Sequence, residues 1–285
     1  MARLRFTKMH GIGNDYVYVD CFAQEVPDPA AVARLVSPRR TGIGSDGLIL
    51  ICPSETADCR MEMYNADGSR GEMCGNGIRC VGKFVYERGI ARQDHLRVET
   101  DAGIKELHLR VHNGRVDAVT VDMGKPILDG PRIPVAAEGK IINVPIEVAG
   151  ETYHITCLSM GNPHCVIFVP RVDTLPLADL GPRFERHPFF PQRINTEFVQ
   201  PLNPGALRMR VWERGSGETA ACGTGACAVV VAAALNHKAE RRAVVHLNGG
   251  DLEIEWRIGD DHVMMTGPAN EVFTGEIDIS PSRGA

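Results

Sequence analysis

A Cys-Gly-x-Gly element followed at once by an apolar helical run occurs twice in this chain, as CGNGIRCVGKFVY from Cys74 and as CGTGACAVVVAAAL from Cys222. Each copy is embedded in stretches of period-two alternation. ELHLRVH puts Leu107, Leu109 and Val111 on one face, and LRMRVWE does the same with Leu207, Met209 and Val211. DLEIEWRI aligns Leu252, Ile254, Trp256 and Ile258, and shorter alternations run through CRMEMYN and RVDAVTVDM. Such segments read as half-buried strands of antiparallel sheet. Helices are fewer: 28–37, 75–88 ended by Gly89, 223–237, and a short one within LADLGPRFERHP. Around Gly124 a Pro- and Gly-rich crossover, MGKPILDGPRIPV, ends the first series, and the order then restarts. The expectation is an α+β fold of two pseudo-symmetric halves, 1–123 carrying Cys74 and 124–267 carrying Cys222.

The 285 residues suffice for two domains, and 44% apolar with 24% charged residues is ordinary for a soluble globular protein. A net charge of −5 with no basic run beyond Arg39-Arg40 and Arg241-Arg242 argues against nucleic acid and acidic membrane surfaces as partners. The N-terminus has no apolar signal-peptide core, and the longest apolar run, Ala226 to Leu235, is too short to span a bilayer. Nine cysteines without a secretory signal then read as reduced thiols of a cytoplasmic protein. Cys21, Cys52, Cys59 and Cys157 lie in or beside apolar segments and are expected to be small buried hydrophobes.

Three chemistries compete for the two helix-start cysteines. Zinc favours closer knuckles than the C-x5-C of Cys74/Cys80 and the C-x4-C of Cys222/Cys227. A redox module would need the fold to bring distant thiols together, and C-x-x-C is absent. The third is acid–base work. A thiol at a helix N-terminus meets unpaired N–H groups and the positive end of the dipole, which predicts a lowered pKa. The same N–H groups can cradle a carboxylate. Two such elements could set one thiol on each face of an α-carbon, as inversion of a stereocentre by two bases requires. No metal or pyridoxal phosphate is needed for that chemistry, and none is expected.

KMHGIGNDYV, YNADGSRGEMCGNGIRC, SMGNPHCV, INTEFVQ and VWERGSGETAACGTGACA, in this order from residue 8 to about 268, resemble diaminopimelate epimerase. Proline racemase and its relatives share the Cys-Gly-x-Gly element but usually carry His where Asn76 stands. The resemblance implies that each half is a mostly antiparallel sheet curled around a central helix, with the active site in the cleft between halves and 268–285 returning to the first half. It implies a cofactor-independent isomerase, an amino acid epimerase that interconverts L,L- and meso-2,6-diaminopimelate in lysine and peptidoglycan precursor biosynthesis. It also implies a homodimer. Cys74 and Cys222 would be base and acid, with His164 and Glu213 tuning the thiols. Asn14, Asn65, Gly75, Asn76, Asn162, Asn195, Glu213, Arg214, Gly223 and Thr224 would bind substrate. Gly47 stands where some members carry a Gln contact, so that role is not carried over. On residue type alone His164 reads as a hydrogen-bonder on a turn, and Cys80, Cys165 and Cys227 as structural.

Overall fold

A computed structural model describes residues 3–279, which divide into two compact units, 3–121 with 267–279, and 122–266. The C-terminal expectation for 280–285 lies outside the described residues.

The first unit runs β1 (Arg3–Gly11), β2 (Asn14–Asp20), α1 (Pro29–Val36), β3 (Gly47–Cys52), β4 (Cys59–Asn65), β5 (Arg70–Gly71), α2 (Gly75–Glu87), β6 (His95–Thr100), β7 (Gly103–His112) and β8 (Arg115–Asp122). The second runs β9 (Val144–Val148), β10 (Glu151–Ser159), β11 (Pro163–Phe168), α3 (Leu177–Glu185), β12 (Asn195–Asn203), β13 (Ala206–Glu213), β14 (Gly217–Thr219), α4 (Gly223–Leu235), β15 (Arg242–Leu247), β16 (Gly250–Trp256) and β17 (Val263–Gly267). A last strand, β18 (Asn270–Asp278), pairs antiparallel with β1.

The pairings repeat element for element. In the first unit β1–β2 and β3–β4 are antiparallel, β2–β3 and β4–β6 parallel, and β5 folds back on β4. In the second, β10–β11 and β12–β13 are antiparallel, β11–β12 and β13–β15 parallel, and β14 folds back on β13. A helix supplies each parallel crossover, because a parallel pair cannot be closed by a tight turn. α1 and α3 make the first crossover of each unit, and α2 and α4 the second. Even the outer strand repeats, with β18 on β1 and β9 on β10, both antiparallel.

The two cysteine helices are deeply buried in their units. α4 carries Val229, Val230 and Val231 at zero exposure, so it is apolar on every side rather than striped. Burying each such side chain contributes roughly 1.5–3 kcal/mol. α2 buries Ile78, Val81, Phe84 and Val85 and stops where Gly89 turns left-handed (φ 76°), with Ile90 N–H bonding back to Val85 C=O at 3.0 Å. Two expectations fail here. Ile258 lies beyond the end of β16, in a turn, and is 83% exposed. Cys21 and Cys52 end neighbouring strands and are half-buried, whereas Cys59 and Cys157 are buried as expected.

Candidate functional site

Cys74 is the N-cap of α2, with extended backbone (φ −126°, ψ 118°), and its Sγ accepts from Gly77 N–H at 3.3 Å. Its thiol donates to Asn14 Oδ1 at 3.1 Å. Asn14 is aimed by the turn before β2, where Ile12 (φ 48°) and Gly13 (φ 90°) both adopt left-handed backbone. A β-branched residue in that region is strained. The Asn14 amide is held from its other end by Asp46, with Nδ2 donating to Oδ2 at 2.6 Å, and Asp46 is in turn clamped by Arg39 at 2.8 Å. Neighbouring Asp15 is half-buried, which would raise it, but Arg39 and Lys8 outweigh burial and hold it below the usual carboxylate range.

Two further groups face Cys74. Tyr16, one strand position beyond Asp15, turns its phenol toward the sulfur and favours its charged form. Burial first, and then Cys74 itself, pushes that phenol well above its ordinary value, so it remains a donor. Arg79 is fully buried, anchored by Nε to Pro268 C=O at 3.2 Å and by Nη1 to Gly75 C=O at 3.2 Å, and it puts a positive charge near Cys74. Asn76 is 3% exposed and its buried Oδ1 has no hydrogen-bond partner among the described residues. Such an oxygen is costly unless a ligand or water completes it.

Cys222 caps α4 with nearly the same backbone (φ −128°, ψ 109°) and is buried, 5% exposed. Its sulfur lies 3.5 Å from Thr224 Oγ1. Glu213, at the end of β13, places its carboxyl near Cys222 and accepts from the Thr219 hydroxyl. Burial raises the Glu213 carboxyl above its ordinary value despite that bond. His164 is not on a turn but inside β11 at zero exposure. Its Nδ1 sits 2.7 Å from Glu197 Oε1 and its Nε2 2.9 Å from Asn162 Oδ1. Asn195 Nδ2 donates to Pro163 C=O at 3.1 Å, and its Oδ1 accepts from Arg214 N–H at 2.8 Å. That amide staples three segments together.

The expected lowering of the thiols is overturned. Burial pushes Cys74 above its ordinary value, although Gly77 N–H, the Tyr16 hydroxyl, Asn76 N–H and Arg79 all work against it. Cys222 is pushed much further, by burial first and then by Glu213 and Glu197, with only Thr224 and Gly225 N–H opposing. The helix terminus acts as expected, but desolvation of the charged form outweighs it. Cys80, raised to about 11 by burial, is a core thiol, as are Cys165 and Cys227.

The remaining expected residues divide. Gly75, Gly223 and Thr224 open their helices beside the cysteines. Asn65 ends β4 opposite Gly47, but its amide donates to Ser69 Oγ at 2.9 Å within its own turn. Arg214 is exposed, with one Nη1 bond to Gln192 C=O at 3.2 Å. Gly47 has no room for any side chain, since a Cβ there would stand 2.1 Å from Tyr64 C=O. Tyr16, Asp46, Arg79 and Glu197 escape sequence reasoning. Tyr16 was reachable, because NDYVYVD alternates and sets Tyr16 and Tyr18 on one face. A lone acidic residue amid the apolar Ile194, Phe198 and Val199 was the signal for Glu197.

The family model described as Diaminopimelate epimerase matches residues 6–128 and 156–272. A diaminopimelate epimerase of Acetivibrio thermocellus is 57% identical over 97% of this chain and 99% of its own. One from Methanococcus maripaludis is 52% identical over 97% and 100%. Among solved structures, a PhzF-family phenazine biosynthesis protein of Bacillus anthracis superposes with TM-score 0.70 at 16% identity, covering 98% of this chain and 100% of that one. A hydroxyproline epimerase of Agrobacterium vitis with bound trans-4-hydroxy-L-proline gives 0.68 at 14%, covering 98% and 94%. These structures share the fold, on which different chemistries are built, whereas the sequence matches run through both cysteine elements. The chain belongs to the diaminopimelate epimerase family.

Proposed function

We propose that this isomerase interconverts L,L- and meso-2,6-diaminopimelate by a two-base mechanism in which Cys74 and Cys222 exchange one proton each with opposite faces of the same α-carbon. The observation that carries it is the repetition. Two pseudo-equivalent helices each present a capping cysteine followed by bare N–H groups, and each cysteine is fed by a hydrogen-bonded polar set.

Cys74 is the thiol that ionises more readily, because a phenol, two N–H groups and a guanidinium face it. In one direction it removes the α-proton while Cys222, held protonated beside two carboxylates, delivers its own. In the other direction the roles exchange. Negative charge developing on the substrate carboxylate is met by N–H groups at Gly75, Asn76, Gly223 and Thr224. Donors aimed at charge that grows in the transition state lower the barrier rather than merely binding substrate. Asn14, Asn65, Asn162 and Asn195, with Glu213 and the Arg214 fork, hold the two amino acid ends and decide which centre meets the sulfurs. The buried Asn76 Oδ1, lacking a partner, supports its place among these contacts. A place in lysine and peptidoglycan precursor synthesis, a cytoplasmic location and a homodimer complete the proposal, on the strength of the resemblance. Among the described residues no helix is long and apolar enough to cross a membrane.

The test is epimerisation in deuterated water from each pure isomer. Initial product should carry one deuteron at the inverted carbon, while remaining substrate stays protiated. Product that keeps the original proton would contradict two separate bases, and inertness toward diaminopimelate beside turnover of proline or hydroxyproline would replace the substrate.

A further inference from the structure

The two half-sites are equivalent down to strand register, and that exposes one position where they differ in kind. Tyr16 pairs with Gly47, the first residue of β3, and His164 pairs with Asn195, the first residue of β12. Two residues further along stand Ile49 and Glu197. Each lies over the third residue of its helix. A Cβ on Gly77 would meet Ile49 Cδ1 at 2.7 Å, and one on Gly225 would meet Glu197 Oε1 at 2.8 Å. Beneath Cys74 the wall is a methyl group, and beneath Cys222 it is a carboxylate.

That carboxylate is built in, not incidental. Glu197 is at zero exposure, its Oε1 lies 2.7 Å from His164 Nδ1, and its buried Oε2 has no hydrogen-bond partner among the described residues. The same hypothetical Cβ on Gly225 would stand 3.2 Å from Cys222 Sγ, so oxygen and sulfur share one small space kept open by a glycine. The groups facing Cys222 are Glu197 from β12, Glu213 from β13 and Thr224 from α4, with His164 from β11 behind Glu197.

Building on the two-base reading, we propose that Glu197 is the positioning residue of the Cys222 half. Its carboxylate fixes His164 with the hydrogen on Nδ1, and it stands as the fixed negative charge that keeps Cys222 the proton donor. A carboxylate accepts only, so His164 Nδ1 must donate to it, and the ring is thereby held with Nε2 2.9 Å from Asn162 Oδ1. One residue thereby orients a substrate-contact amide and adds its charge to the burial and the Glu213 carboxyl that already hold the proton on Cys222. Its counterpart Ile49 imposes neither on Cys74.

Glu197→Gln tests this in the intact enzyme, because it keeps shape and removes charge. We expect kcat to fall about tenfold or more with KM changed less, and the basic limb of the pH–rate profile to move to lower pH as Cys222 loses its proton more easily. In 15N spectra His164 should lose the signature of an Nδ1–H bonded to a carboxylate. Glu197→Asp, which keeps the charge but shortens the reach, should restore the basic limb more than the Nδ1–H signal. It also carries the test should the Gln variant fail to fold. A loss of kcat with an unmoved basic limb and unchanged His164 spectrum would overturn the proposal, as would wild-type kinetics. The two-base reading fails separately, if wild-type product retains the substrate's own proton. The His164 spectrum and Cys222 ionisation stay measurable without any substrate.

Discussion

The half-site around Cys74 and the half-site around Cys222 share topology, register and the backbone conformation of the capping cysteine, yet they make opposite demands on their thiols. Around Cys74 stand Tyr16, Gly77 N–H and the cation Arg79, with the Asn14 amide oxygen accepting from the thiol. Around Cys222 stand carboxylates, Glu213 and Glu197. Helix geometry alone would make the two thiols alike. The side chains on the parallel strands, Tyr16 and Ile49 against His164 and Glu197, make them unlike. The two-base mechanism proposed here needs that inequality, and a few strand positions supply it.

The largest expected effect breaks the pair altogether. Cys74→Ala and Cys222→Ala should each lower kcat by about a thousandfold or more, since each removes an acid–base group for which nothing nearby substitutes. Steady-state rates in both directions check this, and substantial activity in either variant would reduce the mechanism to one base.

The next effect tests the walls rather than the thiols. Gly225→Ala forces a methyl between Glu197 Oε1 and Cys222 Sγ, both fixed, and should cost about tenfold or more in kcat. Gly77→Ala meets only the movable end of Ile49 and should cost less. Equal losses would mean the two floors are mechanically the same.

Gly47→Gln sharpens the comparison from the first half. A Cβ 2.1 Å from a backbone carbonyl cannot be accommodated without moving β4. The variant should be destabilised by about 1–3 kcal/mol and gain no substrate contact. Chemical denaturation with KM for diaminopimelate measures both.

The smallest effect is on stability against pH. Both thiols are raised in the folded state, so the native protein binds more protons than the unfolded chain as pH rises. The stability this contributes is fully present below about pH 8.5, the ordinary thiol value, and is lost as pH climbs through the raised ones. Cys222→Ala should flatten that alkaline loss more than Cys74→Ala, because Cys222 is raised further.

Much of this was legible in the sequence, for reasons that can be named. Helix starts at Gly75 and Gly223 follow from their capping cysteines and glycines, and strands β7 and β16 from strict alternation. The resemblance offered Asn14 as a substrate contact and Glu213 as a thiol-tuning residue, and the structure sets Asn14 against Cys74 and Glu213 beside Cys222. The direction of the thiol shifts was not legible, because local helix geometry can be read from a motif while depth of burial cannot. Glu197 was hidden for a related reason. β12 is buried over Asn195 to Val199 on both faces, so no alternation separates a functional inward residue from its neighbours. His164 was misplaced on a turn because Asn162-Pro163 precede it, although Pro163 opens a strand.

The inequality of the two thiols is best measured directly. With cysteine labelled at 13Cβ, and signals assigned from the two alanine variants, Cys74 should titrate at lower pH than Cys222 in wild-type enzyme. The gap should narrow in Glu197→Gln. Coincident titration, or Cys222 ionising first, would contradict the assignment of unlike roles to the two halves.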